Sequence, residues 1–265
     1  MHGHTQSSLH VNYRYILDLI RRENARAPHV RILDYGCGDG DIVENGLAEG
    51  MDIHGADVFY SGSDSYEVVK QKGLLGDRIR TITDNHVDFP DGFFDLVISN
   101  QVFEHVENMD AVLFEINRIL KPGGRFLCLF PSKDVWREGH CGVPFLHWFP
   151  KDSRIRDYYI LMMRSLGVGK YKNNLPVKEW IKYVLNWLDT YCFYRSRKTI
   201  KRAFHKYFDI HFIESDYASF RLKASRLAPL EPLARFPLTK PLVNEAIRKL
   251  GGLVMLCTKS GNLKG

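Results

Sequence analysis

Apolar residues along this chain fall into two kinds of pattern, which predict strands and helices in turn. Short apolar runs, typical of buried strands, alternate with longer segments in which apolar residues recur three or four positions apart, as on one face of a helix. The runs that predict strands cover residues 31–35, 51–58, 79–83, 93–100 and 125–130. Strands that alternate with helices are typical of a parallel sheet, so we expect an α/β fold.

The other elements predicted from spacing lie at the start, the middle and the end of the chain. Helices are predicted over residues 9–27, 41–49 and 109–120. Further strands are predicted over residues 208–214 and 252–259. Between these strands, residues 227–241 contain four prolines, and we expect an extended segment there because proline disrupts a helix interior. A short helix is predicted over residues 244–250.

Composition is that of an ordinary globular protein, with 45% hydrophobic and 26% charged residues among 265. No apolar run approaches the roughly 18 residues of a transmembrane helix. Residues 1–6 lack the apolar segment of a signal peptide, so we expect a cytoplasmic location. The five cysteines are scattered without a C-x-x-C pair, which indicates neither a disulfide framework nor a zinc site, and we predict no metal.

The chain is moderately basic, with a formal net charge of +6. Such a charge favours anionic partners in general. Much of it lies in residues 195–202, and more lies in residues 170–172. A basic run is most often the solvated face of a helix, so it does not by itself indicate a nucleic-acid partner.

The stretch that indicates chemistry is Asp34-Tyr35-Gly36-Cys37-Gly38-Asp39-Gly40, at the end of the first predicted strand. Alternating glycines there predict a sharp turn into a helix, with backbone exposed to a ligand that side chains would keep away. The dinucleotide-binding fingerprint has two residues between its second and third glycines, whereas one residue stands there in this chain. The turn therefore predicts a site for a different nucleotide-like ligand.

Polar residues also end the other predicted strands. Asp57 ends the second strand, where an ionised carboxylate can accept two hydrogen bonds from ribose hydroxyls. Asp84 follows the third strand, and Asn100 and Gln101 end the fourth. Ligands of open α/β sheets bind at the carboxyl ends of the strands, so we expect these side chains at one site.

Three motifs resemble those of one enzyme family. The glycine stretch resembles D/E-x-G-x-G-x-G, motif I of the class I S-adenosylmethionine-dependent methyltransferases, and residues 94–106 resemble the family pattern F-D-x-V-x-S-x-x-V-x-E-H-V. Leu-Lys-Pro-Gly-Gly before the fifth strand is also a family pattern. The resemblance implies a Rossmann-like seven-stranded sheet, mostly parallel with an antiparallel last strand, and S-adenosyl-L-methionine as the cofactor.

The resemblance also implies a division of the chain. The cofactor-binding core is expected over residues 1–131, a helical aromatic cap inserted after the fifth strand over residues 132–206, and the final strands of the core sheet over residues 207–265. Aromatic residues three or four apart between 180 and 191 would share one helix face. We expect this face to pack against the core or to roof the acceptor pocket, or, with the basic run after it, to make peripheral membrane contact.

Cofactor contacts follow from the same resemblance. Asp34 is expected near the methionine moiety and Asp57 at the ribose. Val58 is expected beside the adenine, and Asp84 or Asn85 at the adenine amino group. The other expected cofactor neighbours are Gly36, Cys37, Gly38, Gly40, Asn100, Gln101 and His105.

The loop over residues 136–150 follows the fifth predicted strand, where an acceptor would approach the methyl group. Glu138, His140 and His147 have the chemistry of a general base and its orienting partner, and we predict a catalytic role for them. The alternative is an ordered loop whose histidines satisfy backbone groups. The glutamate-glycine-histidine sequence resembles methyltransferases of surface-polysaccharide pathways, which favours a sugar or glycolipid hydroxyl. A quinone-like phenol and an amine stay open.

We therefore expect a methyltransferase that acts on a small-molecule acceptor. A nucleic-acid (RNA) methyltransferase is one alternative. Against it, the fourth strand ends in Asn100-Gln101-Val102-Phe103, whereas methylation of exocyclic base amines generally uses an N/D-P-P-aromatic motif. A non-catalytic S-adenosylmethionine-binding protein is the other alternative.

Overall fold

A seven-stranded sheet forms the centre of the computed structural model, which describes residues 9–27, 29–60, 62–172 and 175–261. The strands are β1 (Arg31–Tyr35), β2 (Asp52–Asp57), β3 (Ile79–Thr81), β4 (Phe94–Asn100), β5 (Leu120–Phe130), β6 (Phe208–Phe212) and β7 (Leu253–Lys259). Residues 1–6, in which we expect no signal peptide, lie outside the described residues.

The strand order across the sheet is β3-β2-β1-β4-β5-β7-β6. Neighbouring strands run parallel from β3 to β5, and β7 runs antiparallel to both of its neighbours. The predicted parallel sheet with an antiparallel last strand is confirmed. Because the strand order reverses between β1 and β4, a crevice for a ligand is expected at the carboxyl ends of these two strands.

Helices connect the strands. They are α1 (Val11–Asn24), α2 (Asp41–Ala48), α3 (Ser65–Gln71), α4 (Met109–Ile119), α5 (Arg154–Ser165), α6 (Val177–Tyr191), α7 (Arg197–His205), α8 (Glu214–Lys223), α9 (Glu231–Arg235) and α10 (Lys240–Leu250). The predicted helices that became α1, α2 and α4 are confirmed to within a few residues. No prediction covered α8, because its buried side includes the polar residues Glu214, Ser215 and Ser219 and lacks an apolar stripe.

Apolar side chains cover both faces of the sheet. Ile32 lies in the cluster that includes α1, whereas its neighbour Leu33 lies in the cluster that includes α4, as the alternation of side chains along a strand requires. A third cluster, around Trp180, joins α5 and α6 to the loop before them. The segment predicted as a cap therefore has a small core of its own, although Phe204 of α7 packs with the sheet. The division at residues 132 and 206 stays a proposal.

The prediction of an extended segment over residues 227–241 is wrong. The chain there forms a 3₁₀ turn over Ala228–Leu230 and then α9, and α10 already begins at Lys240. Each of these three short helices has a proline in its first two positions. Proline is tolerated there because the first turn of a helix leaves its N–H groups without partners inside the helix.

None of the helices in the described part of the chain is long and apolar enough to cross a membrane.

Candidate active site

The glycine turn after β1 brings the backbone close to neighbouring side chains. Gly36 has a φ of 82°, and a Cβ atom on it would lie 2.3 Å from Cγ2 of Val102. Gly40 has a φ of 74° and precedes α2, and a Cβ atom there would lie 2.7 Å from Cδ1 of Ile79. Both positions require glycine, because a side chain would clash and the left-handed conformation is costly for other residues.

Asp57 at the end of β2 holds this turn. Its Oδ2 accepts a hydrogen bond of 2.8 Å from the N–H of Gly38, and its Oδ1 accepts one of 2.9 Å from the N–H of Phe59. A carboxylate has further lone pairs, so Asp57 can still accept hydrogen bonds from a ligand.

A cavity of about 800 Å³ opens at the carboxyl ends of β1, β2 and β4. Its volume lies within the roughly 300–1,000 Å³ of small-molecule sites. Ten of the predicted site residues line it, namely Gly36, Cys37, Gly38, Asp57, Val58, Asn85, Asn100, Gln101, His105 and His140. The crevice expected from the strand order is therefore where most of the predicted residues meet.

The other five predicted residues do not line this cavity. Gly40 lies at the end of the turn, against Ile79. Glu138 contacts His140 but does not itself line the cavity. His147 lines a separate cavity of about 170 Å³ on the far side of Tyr194.

Asp34 and Asp84 complete these five. Asp34 is buried, and this burial, together with the charge of Asp57, raises its pKa to about 8. Asp84 and Asn85 form a two-residue turn with φ values of 51° and 62°, closed by hydrogen bonds between Thr83 and His86. Only Asn85 of this pair reaches the cavity. Their roles at the cofactor stay predictions.

Glu138 and His140 form a hydrogen-bonded pair at the wall of the large cavity. Nδ1 of His140 lies 2.7 Å from Oε1 of Glu138, which also accepts a 2.7 Å hydrogen bond from the hydroxyl of Tyr194. Oε2 of Glu138 accepts the N–H of Cys141 at 2.5 Å. Burial alone would raise the pKa of Glu138, but these hydrogen bonds and the nearby imidazole outweigh it and hold the pKa below its ordinary value.

His105 lies beside this pair. Its Nδ1 lies 2.7 Å from the carbonyl oxygen of Tyr191, and its ring centroid lies 5.0 Å from that of His140. A carbonyl oxygen only accepts, so Nδ1 of His105 carries the proton and Nε2 of the neutral ring is an acceptor. Burial lowers the pKa of His105, which favours this neutral form.

A family model described as a methyltransferase domain matches residues 8–207. The chain belongs to this family. With the sheet order described above, this confirms the predicted class I S-adenosylmethionine-dependent methyltransferase fold and the cofactor of that class.

Two curated relatives of this chain are named for quinones. A ubiquinone biosynthesis O-methyltransferase of Pectobacterium atrosepticum is 30% identical over 156 residues, covering 56% of this chain and 62% of that protein. A demethylmenaquinone methyltransferase of Symbiobacterium thermophilum is 30% identical over 168 residues, covering 56% of this chain and 65% of that protein. The chain thus spans slightly less than two thirds of the length of each.

Among solved structures, an S-adenosylmethionine-dependent methyltransferase from Mesorhizobium loti has a similar fold. The TM-score is 0.51 at 17% sequence identity, and the match covers 90% of this chain and 96% of that one. At this identity the likeness concerns the fold alone.

The residues of this chain at the large cavity fit the family's cofactor. The glycine turn is a cradle that a Cβ atom on Gly36 would fill, and Asp57 offers acceptors for vicinal hydroxyls beside it. Tyr13 of α1 also lines the cavity, and burial together with the charge of Asp34 raises its pKa to about 12, so its hydroxyl stays a donor. The cavity therefore has both the backbone surface and the polar groups that a nucleoside requires.

Among the residues that the structure describes, one cluster has the residue types of a metal site. His105, His140 and Cys192 each have a potential donor atom within 4.8 Å of the others. The Nδ1 atoms of both imidazoles already bind other groups, and burial, reinforced by the charge of Glu138, raises the pKa of the Cys192 thiol. A metal ion there would have to displace the proton of this thiol, because the thiolate is the form that binds metals. The absence of a metal stays our prediction.

Several residues at the cavity escaped the sequence interpretation. Asn12 of α1 donates from Nδ2 to Oδ1 of Asn100 at 3.0 Å, and it accepts from the hydroxyl of Tyr217 at 2.5 Å. Asn100 and Tyr217 are both far from Asn12 in the sequence, and no local pattern predicts contacts between residues so far apart. Asn108 is different, because its side chain caps α4, and an asparagine before an amphipathic run is a recognisable N-cap.

The aromatic face predicted on α6 has two parts. Trp180, Val184 and Leu188 are buried in the third cluster, whereas Trp187 and Tyr191 line the large cavity. Trp187 packs beside His140, with its ring centroid 4.8 Å from that of His140. The sequence left two alternatives for this face, packing in a core or roofing the cavity. Both occur, on adjacent stripes of α6.

Proposed function

We propose that this chain transfers a methyl group from S-adenosylmethionine to a hydroxyl group of a small molecule, with His140 as the general base. The observation that carries the proposal is the Glu138–His140 pair, which lies at the wall of the same cavity as the glycine turn. Methyl transfer to a hydroxyl releases a proton, and a neutral imidazole at this wall is suited to accept it.

Glu138 prepares His140 for this role. An ionised carboxylate can only accept, so its 2.7 Å contact places the proton of neutral His140 on Nδ1. The lone pair on Nε2 is then available to the acceptor. When His140 becomes an imidazolium, the charge of the fully buried Glu138 stabilises it. Tyr194 and the Cys141 N–H hold the carboxylate in place.

The cofactor, when bound, supplies a methyl group already activated on a sulfonium, so the protein has mainly to align the acceptor and remove its proton. Asp57 would bind the ribose hydroxyls, and the glycine turn would receive the nucleoside against its backbone. Asn100, fixed by Asn12, lies between these groups and α1.

Aromatic side chains form the wall on the acceptor side. Trp187 and Tyr191 line the cavity beside His140 and His105, and Phe193 follows them. Such rings can stack on a planar phenol or on the apolar face of a sugar. The name of the first relative, a ubiquinone biosynthesis O-methyltransferase, favours the phenol, whereas the loop resemblance favours a sugar or glycolipid. We propose a hydroxyl in either case, and the cytoplasm as location stays a prediction from the sequence.

The proposal is tested by incubating the protein with methyl-labelled S-adenosylmethionine and two sets of acceptors, catechol-type phenols and free or lipid-linked sugars. We expect label in one set, with one S-adenosylhomocysteine released for each methyl transferred. His140→Ala should lower the transfer rate by about 10²–10⁴-fold, the usual contribution of general acid–base catalysis, and leave cofactor binding intact.

His211→Ala is the matched control, since His211 is exposed on β6 away from the cavity. Full activity of His140→Ala would refute the assignment of the base. Label recovered in RNA would support the nucleic-acid alternative instead, and cofactor binding without any transfer would support the non-catalytic one.

A further inference from the structure

The segment that connects α8 to β7 leaves large apolar side chains in solvent. Of residues 223–250, only Ala234 is buried. Six side chains in this segment are between 49% and 80% exposed, namely Leu227, Leu233, Phe236, Leu238, Leu242 and Leu250. We call these six residues the apolar patch. Soluble monomers rarely expose so many large apolar residues together, and such a surface usually marks an interaction site.

The helices that carry most of the apolar patch pack against one another. α9 and α10 both contact α8, and α8 contacts α1 and β7. None of the residues of α10 is buried, although Leu242 and Leu250 are apolar. α10 also contacts β7 and packs Ile247 against the core, while Leu242 and Leu250 stay in solvent.

Two exposed tryptophans extend this surface toward the loop that contains His140. The backbone N–H of Trp136 donates to the carbonyl oxygen of Lys249 at 2.8 Å. This hydrogen bond joins the loop over residues 136–150 to the end of α10. Trp136 is 48% exposed and Trp148 is 43% exposed. The Glu138–His140 pair lies between them in the sequence. Tryptophan is enriched where proteins meet the interface of a bilayer, since its ring is apolar and its N–H is polar.

Basic residues surround the apolar patch. Residues 221–250 contain seven Lys and Arg but only two Glu. Lys223, Arg226 and Lys240 are exposed there. A second copy of this chain docking patch to patch would bring like charges together, whereas an anionic surface would meet opposite charge.

We propose that the apolar patch and the adjoining tryptophans dock the protein on a bilayer of anionic phospholipids. Leucine and phenylalanine side chains enter the interface, and the basic residues bind the anionic headgroups. The apolar patch lies outside the aromatic and basic cap for which the sequence predicted membrane contact, whereas the two tryptophans belong to the segment predicted as that cap. Docking holds the loop that contains His140 near the bilayer, within reach of an acceptor with a lipid or polyprenyl tail. This consequence rests on the proposed function. The docking itself is independent of the proposed function.

The test is cosedimentation of the full chain with vesicles of phosphatidylcholine alone, or of equal parts of phosphatidylcholine and phosphatidylglycerol. We expect binding to the anionic vesicles that weakens with added salt. The double variant Leu238→Ser/Leu242→Ser removes two of the most exposed side chains, which are 80% and 72% exposed. It should bind at least about tenfold more weakly, because burial of even one leucine is worth about that factor.

The control is Ile155→Ser in α5 combined with Leu166→Ser directly after it, where the side chains are 68% and 70% exposed but lie in the predicted cap. It should bind vesicles like the native protein. Binding of S-adenosylmethionine by each variant verifies folding and is independent of vesicle binding. The proposal is overturned if no vesicles are bound, if neutral vesicles bind equally well, or if the α5 variant alone loses binding. A dimer that the patch variant converts to monomer, without vesicle binding, would assign the patch to a second copy and also overturn it.

Discussion

Replacing Glu138 by glutamine tests the proposed base most directly, because the change keeps the size of the side chain and removes its charge. The carboxylate accepts three hydrogen bonds, from Nδ1 of His140, the hydroxyl of Tyr194 and the N–H of Cys141. An amide has one oxygen, which we expect to stay toward His140 and Tyr194, since two donors lie there. The NH₂ group then faces the N–H of Cys141, and that donor loses its partner.

Two magnitudes follow from this geometry. A buried donor without a partner costs about 1–3 kcal/mol, so the free energy of unfolding of Glu138→Gln should fall by about that amount. In the reaction, the variant lacks the charge that stabilises the imidazolium of His140. Two unit charges about 4 Å apart at an effective dielectric constant of about 20 attract by about 4 kcal/mol, which corresponds to roughly a thousandfold in rate.

The assay measures methyl transfer and cofactor affinity in the same preparation. We expect kcat to fall by about 10²–10³-fold, while the dissociation constant of S-adenosylmethionine stays unchanged because Glu138 does not line the cavity. Tyr194→Phe is the control, since it removes one hydrogen bond but keeps the carboxylate and its contact with His140. A folded Glu138→Gln protein with native kcat would refute the reasoning.

Stability against pH gives an independent check on Glu138. The pKa of Glu138 is lower in the folded protein than in the unfolded chain, where it is about 4.3. Its contribution to stability is therefore fully present above that value and is lost as the pH falls below it. The difference in unfolding free energy between the native protein and Glu138→Gln should shrink in acid, as measured by urea denaturation at a series of pH values.

Three further predictions concern the cofactor side and the core. Gly36→Ala should lower the free energy of unfolding by about 2–4 kcal/mol, because its Cβ would lie 2.3 Å from Val102 in a backbone conformation that favours glycine, and Val102→Ala in the same chain should restore part of the loss in thermal melts. Asp57→Asn should weaken S-adenosylmethionine binding by roughly ten- to a hundredfold in calorimetry, because hydrogen bonds to a charged acceptor are lost, whereas Asp77→Asn, at an exposed residue outside the cavity, should not. Burial raises the pKa of Glu104 to about 8, so the folded state keeps a proton that the unfolded chain loses above about pH 4.3. Glu104→Gln should therefore gain stability over the native protein as the pH rises from 4 to 8, by at most about 1.4 kcal/mol per pH unit, and equal stabilities at both ends would contradict the buried, protonated state.

Local patterns were sufficient for the cofactor side of the molecule. The glycines at 36 and 40 follow a buried strand, and Asp57 ends the next one, so their meeting at one sheet edge follows from the rule that parallel strands end together. The same rule placed Asn100 and Gln101 at the cavity. These predictions rest on the periodicity of buried strands, which the sequence carries without knowledge of distant contacts.

The rule that parallel strands end together makes no prediction for loops and surfaces. The sequence grouped Glu138, His140 and His147 by proximity in the chain, yet Glu138 turns toward His140, and His147 packs on the other side of Tyr194. Tyr194 lies more than fifty residues further along the chain, and no periodicity predicts that it donates to Glu138. The number of prolines also led to the wrong prediction of an extended segment over residues 227–241, because the effect of proline depends on its position within a helix turn.

The sequence by itself determined the family, the sheet and the ligand class, because these depend on short motifs and on alternation along single strands. Only the tertiary structure decided which imidazole receives a carboxylate partner and which apolar side chains stay in solvent. Both depend on what packs against a side chain from distant parts of the chain. The glycine turn could thus be interpreted from seven residues, whereas the Glu138–His140 pair and the apolar patch required the folded molecule.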